Sequence, residues 1–88
     1  MRYAIPSDVA CAAVEDGAVV LHMGTKRYFS LNETGAEIWR LLDLDVSLAD
    51  IPARLSERFD VEIEEAGAAV DSLLRVLQEK KLLSLTAE

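Results

Sequence analysis

Hydrophobic and polar positions change their period once along this chain, near Asn32. Before that point, short alternating runs are separated by turn residues. After it, the apolar spacing is helical. Val9 to Glu15 predicts a strand and Ala18 to Met23 its return, with Asp16-Gly17 as the turn. That dipeptide suits a type I′ hairpin, whose two central residues both need positive φ. Glu15 is then expected opposite Ala18, Val14 opposite Val19, Ala12 opposite Leu21, and Cys11 opposite His22. One face collects Ala10, Ala12, Val14, Val19, Leu21 and Met23, and is predicted to be the core face. The other collects Val9, Cys11, Ala13, Glu15, Val20 and His22. Gly24-Thr25-Lys26 reads as a second turn and Arg27 to Leu31 as a third strand. A three-residue loop directs Phe29 and Leu31 to the core. A two-residue loop directs Tyr28 and Ser30 there. The first is preferred because it buries the more apolar pair.

Three helical segments follow. Asn32 is a suitable N-cap, since its side-chain oxygen accepts a free N–H of the first turn. Helix one is predicted from about Glu33 to Leu42, with Ala36, Ile38, Trp39, Leu41 and Leu42 on its apolar face. Ser47-Leu48-Ala49-Asp50 resembles a capping box with Asp in place of Glu. Helix two then runs to about Phe59, and Pro52 implies a short or bent start. Helix three carries Ala66, Ala69, Val70, Leu73, Leu74, Val76 and Leu77 as a broad stripe. Glu64 and Glu65 suit the positive end of its dipole, and Lys80 and Lys81 the negative end. Leu82, Leu83 and Leu85 are expected either to form a short final strand or simply to pack. The order gives an α+β fold, winged helix-turn-helix-like, with a three-stranded antiparallel sheet followed by three helices. Residues 1–88 are expected to form one domain.

Charge and composition narrow the function. The chain is 51% hydrophobic, with a formal net charge of −7. Nine Lys and Arg are scattered without a basic run, which argues against nucleic acid as a partner. No stretch approaches the ~18 apolar residues of a membrane helix. The N-terminus lacks the apolar core of a secretory signal. A single cysteine rules out an internal disulfide and fits a cytoplasmic location.

Little here predicts catalysis. Cys11 and His22, if they face each other, offer a nucleophile and a base. Nothing in the sequence supplies a third orienting group or a way to lower the thiol pKa. One Cys and one His do not complete a zinc site, and the glycines show no phosphate-loop spacing. No cofactor is expected.

One feature does predict a function. A three-stranded meander leaves its first and third strands as edges, with unpaired N–H and C=O groups open to an incoming peptide. Lys26 to Leu31 is such an edge, and the last helix is its expected wall. The margins of that helix's stripe, Ala69 and Val76 on one side and Leu74 on the other, serve either the core or a groove.

The stretch from Val19 to Trp39, with Leu31-Asn32-Glu33-Thr34-Gly35 and Ile38-Trp39 at its centre, resembles the PqqD-like family. Ser47 to Ile51, Phe59-Asp60-Val61 and Leu73 to Leu83 resemble its later elements, so the likeness covers roughly residues 5–85. The resemblance implies a RiPP recognition element. Such a module is not an enzyme: it binds the leader of a ribosomal precursor peptide and holds it for a partner. It implies strand addition at the third strand, using the backbone from Arg27 to Ser30. Side chains of Tyr28, Phe29, Ala69, Leu73, Leu74 and Val76 are the expected contacts, with Asp71 and Arg75 reading charge. The spare N-terminus and the first hairpin look most like the stand-alone lasso-peptide type, which implies a leader peptidase as partner. The alternatives are a PqqD-type chaperone for a radical S-adenosylmethionine enzyme and a winged-helix DNA-binding regulator. The same edge strand also allows a homodimer.

Overall fold

In the computed structural model, which describes residues 2–86, the elements run in this order. β1 is Arg2–Ala4, β2 Val9–Val14, β3 Gly17–His22 and β4 Arg27–Asn32. Then come α1 (Glu33–Asp43), α2 (Ile51–Phe59), α3 (Ile63–Glu79) and β5 (Ser84–Thr86). β2, β3 and β4 form an antiparallel sheet in that order, followed by the three helices, as the pattern predicts. Of the two outcomes open to Leu82, Leu83 and Leu85, each is realised in part: Leu82 and Leu83 pack in the core, and Leu85 lies in β5, which pairs antiparallel with β1.

β1 was not predicted, because three residues carry no periodic signal. It exists because β5 gives it a partner, with Tyr3 opposite Leu85. The Tyr3 hydroxyl lies 2.6 Å from the Val46 carbonyl oxygen and 3.2 Å from that of Leu42, and so ties the N-terminal strand to the end of α1.

The first hairpin departs from the prediction in register. Its turn residues are Glu15-Asp16, not Asp16-Gly17. Val14 pairs with Gly17, Ala12 with Val19, Cys11 with Val20 and Val9 with His22. Neither turn residue has positive φ, so the turn is not of type I′. Gly17 opens β3 instead. A Cβ there would collide with the Leu31 carbonyl oxygen on β4. The glycine is needed for close backbone approach, not for turn conformation.

The predicted core face is also inverted. A shift of two residues leaves the two face sets intact, but the buried set is the other one. Ala18, Val20 and Leu31 are buried, whereas Val14, Leu21 and Met23 are exposed. Both sets are apolar, so alternation alone does not choose between them. The choice is made by β4, which runs straight into α1. The helix must fold over the face that carries Leu31, and pairing of Leu31 with Ala18 and of Phe29 with Val20 fixes the rest. Phe29 and Leu31 do face the core, across a four-residue turn, Met23 to Lys26, rather than three. Lys26 closes that turn in the left-handed region, at φ 64°.

The helices follow the sequence closely. Asn32 caps α1, its Oδ1 accepting the Gly35 N–H at 2.8 Å. The capping box before α2 does not form. Ser47 Oγ takes the Ala49 N–H at 3.2 Å, and the Ser47 carbonyl takes the Asp50 N–H at 2.9 Å. This leaves a separate turn, and α2 begins at Ile51. Pro52 thus lies in the first turn, where no helical hydrogen bond is lost. α1 and α2 are joined at the surface by Glu37, 2.6 Å from Arg40 and 3.6 Å from Arg58. The Arg40 hydrogen bond holds the Glu37 carboxyl below its usual range.

Ile38 and Leu41 of α1, Ile51 and Leu55 of α2, and Val70 and Leu77 of α3 make the centre of the core against Val20. Leu82 and Leu83 close it beyond α3. Among the described residues, no helix is long and apolar enough to cross a membrane.

Candidate peptide-binding groove

The free groups of β4 follow from its register. Met23 N–H bonds to the Asp8 carbonyl at 2.8 Å, which makes that cross-strand pair a hydrogen-bonded one. Hydrogen-bonded and non-bonded pairs alternate along an antiparallel ladder. Ala10 with Leu21 and Ala12 with Val19 are therefore bonded, and Cys11 with Val20 is not. Val20 then turns its N–H and C=O toward Phe29 on the other side, as Ala18 does toward Leu31. It follows that Tyr28 and Ser30 point their backbone N–H and C=O groups away from β3, along the open edge, while Asn32 ends the strand as the cap of α1.

That edge borders a groove of about 570 Å³. Phe29, Ser30, Leu31 and Asn32 form one wall, and Ala69, Ser72, Leu73 and Val76 of α3 the other. Thr34, Gly35 and Ile38 from the start of α1 form its end. Spacing explains the helical wall: positions 69, 72, 73 and 76 lie on one strip of a 3.6-residue helix. Gly35 helps α1 sit close to β4, since a Cβ there would lie 3.2 Å from Asn32 Oδ1 and 3.3 Å from Leu31. A smaller cavity of about 310 Å³ continues past the start of β4, lined by Lys26, Arg27, Tyr28, Lys80 and Leu82. The Lys80 ammonium sits 5.3 Å from the centre of the Phe29 ring, at the boundary of the two.

The residues singled out in the sequence separate here. Phe29, Ser30, Ala69, Leu73 and Val76 line the groove. Arg27 and Tyr28 line the smaller cavity. Leu74 is only 7% exposed and belongs to the core, so the groove lies on the Ala69 and Val76 margin of the stripe. Asp71 and Arg75 are exposed and lie outside both linings. Leu31, Asn32, Thr34, Gly35, Ile38 and Ser72 also line the groove and are absent from the sequence-based set of side-chain contacts. Ser72 was findable by helical spacing from Ala69 and Val76, but its polarity hid it.

Cys11 and His22 are not cross-strand partners. They face Val20 and Val9 respectively, and so are diagonal neighbours on one sheet face. His22 Nδ1 accepts the Thr25 N–H at 3.2 Å. Burial, with the Asp43 carboxylate adding to it, pushes the Cys11 thiol pKa up, which disfavours the thiolate. Iodoacetamide should therefore alkylate Cys11 slowly at pH 7, with a rate that climbs at higher pH than for a free thiol. A fast rate with a plateau at neutral pH would restore the nucleophile. Among the described residues, no group of three or more His, Cys, Asp or Glu is placed to hold a metal ion.

An open strand edge beside an apolar helical groove is the arrangement found in one class of small peptide-recognition modules. Comparison with known proteins makes this more specific. Residues 17–83 match the family model described as coenzyme PQQ synthesis protein D, PqqD, and the chain belongs to that family. Two solved structures share its fold over essentially the whole chain. One is TbiB1 in complex with the TbiA(beta) leader peptide, with a TM-score of 0.86 and 30% identity over 100% of both chains. The other is lasso peptide synthetase B1 complexed with the leader peptide, with a TM-score of 0.85 and 25% identity. That match covers 97% of this chain and 100% of the other. A search of curated sequences finds no match. Family and fold together mark a PqqD-like RiPP recognition element.

Proposed function

We propose that this protein binds the leader of a ribosomal precursor peptide by adding it as a strand to β4, and presents it to a processing enzyme. The observation that carries this reading is the open edge of Tyr28 and Ser30 facing the Ala69–Leu73–Val76 wall. Main-chain bonds along β4 supply affinity that tolerates sequence change, and the groove selects apolar side chains. Likeness to two structures that contain leader peptides supports the choice of ligand, and the likeness to lasso peptide synthetase B1 favours a leader peptidase as the enzyme served. The protein itself needs no chemistry for this. Holding the leader near the peptidase raises its local concentration and speeds cleavage. The PqqD description of the family favours, as a second reading, a chaperone for a radical S-adenosylmethionine enzyme.

Titration of a fluorescent leader, taken from a precursor encoded beside this gene, tests the proposal. Saturable binding is expected, and proline within the strand-forming segment should weaken it about tenfold by removing a ladder donor. Equal affinity for the proline variant would rule out strand addition.

A further inference from the structure

We infer that the cavity at the start of β4 is a carboxylate site, which reads an acidic side chain flanking the leader's strand-forming segment. The inference rests on the leader-binding reading and adds a charge requirement to it. The chain carries a net charge of −7, yet three of its nine Lys and Arg, Lys26, Arg27 and Lys80, line one cavity of about 310 Å³. Among the described residues the rest of the lining, Tyr28 and Leu82, is uncharged, and none is acidic. Leu82 is buried and provides an apolar floor. A site with cations on its rim and an apolar base concentrates field on whatever enters, and a carboxylate there is screened less than on open surface.

The helix dipole explains Lys80, which caps the C-terminal end of α3. It does not explain Lys26 and Arg27, which belong to the opposite wall, on the turn before β4 and on its first residue. Position fits a role in leader recognition. Arg27 precedes the open edge directly, and Lys80 follows Val76 by one helical turn, so the cavity prolongs the groove. A strand added antiparallel to β4 runs from the Asn32 end toward Arg27. Its C-terminal flank therefore enters the basic cavity, and an Asp or Glu there meets the guanidinium and the two ammonium groups.

The test is a charge cycle on the fluorescent leader. The wild-type protein and the Lys26→Glu/Arg27→Glu double variant are titrated with two peptides. One is the natural leader, and the other has each Asp and Glu of the C-terminal flank changed to Asn or Gln. All the altered protein positions are exposed, and circular dichroism checks that the fold is kept. Either change alone should lower affinity about tenfold at low salt, and the two together little further, with the difference shrinking at high salt. Lys80→Gln should give a smaller loss in the same direction. Tight wild-type binding that neither change weakens, or a leader that binds without any acid in that flank, would overturn the carboxylate site and leave strand addition standing. Absence of binding by the wild-type protein would overturn both.

Discussion

Changing Ala69 to tryptophan should weaken leader binding about a hundredfold while leaving the fold intact. Ala69 is half-buried on the α3 wall and its side chain borders the groove rather than the core. A tryptophan there extends into the about 570 Å³ that the leader's side chains are to occupy. Residues at the desolvated centre of an interface dominate its energetics, so a loss of about a hundredfold in affinity is expected. Thermal unfolding should move by little, because no core neighbour is displaced. Unchanged affinity would move the peptide to another surface. The comparison substitution is Leu74→Ala, which should lower stability, since Leu74 is packed in the core.

Gly17→Val should be the most destabilising single substitution in the sheet. Any side chain at this position runs into the Leu31 carbonyl, and the neighbouring Asn32 backbone leaves no room to retreat. Leu31 is a core residue immediately before the cap of α1, so a displacement of β4 spreads to the helix. Overpacking typically costs about 1–3 kcal/mol, and a clash with backbone belongs at or above the top of that range. In a domain of this size, a loss of about 3 kcal/mol removes a large share of total stability. The measurement is the urea midpoint. A midpoint within error of wild type would show that β3 and β4 approach less closely than described.

The fold class was legible because it depends on a change of period, and that change at Asn32 is unambiguous. Asn32 was readable as a cap from its chemistry, and the cap bond to Gly35 forms. The buried side of the sheet was not legible. Ala10, Ala12, Val14, Val19 and Leu21 are as apolar as Val9, Cys11, Ala13 and Val20, and only the connection from β4 into α1 breaks the tie. The Asp16-Gly17 signal misled for a related reason. Glycine's value at position 17 is its missing Cβ against a strand that is distant in sequence, and local turn chemistry does not register that contact. The groove was half legible. The edge strand and the stripe on α3 were both visible, but periodicity did not reveal which margin of the stripe was buried. Packing placed Leu74 inside and left Ala69, Ser72, Leu73 and Val76 beside β4.

The exposed apolar side chains of Val14, Leu21 and Tyr28 lie on the outer face of the same sheet. A leader added to β4 would extend that face by one strand, whatever it meets.

Amide hydrogen exchange, measured with and without saturating leader, tests the central claim most directly. Tyr28 and Ser30 have N–H groups that point to the open edge, and strand addition requires that both be strongly slowed. Protection confined to Cys11 and Ala13, which hold the same position on the β2 edge, would contradict the account, as would binding that slows no strand amide at all.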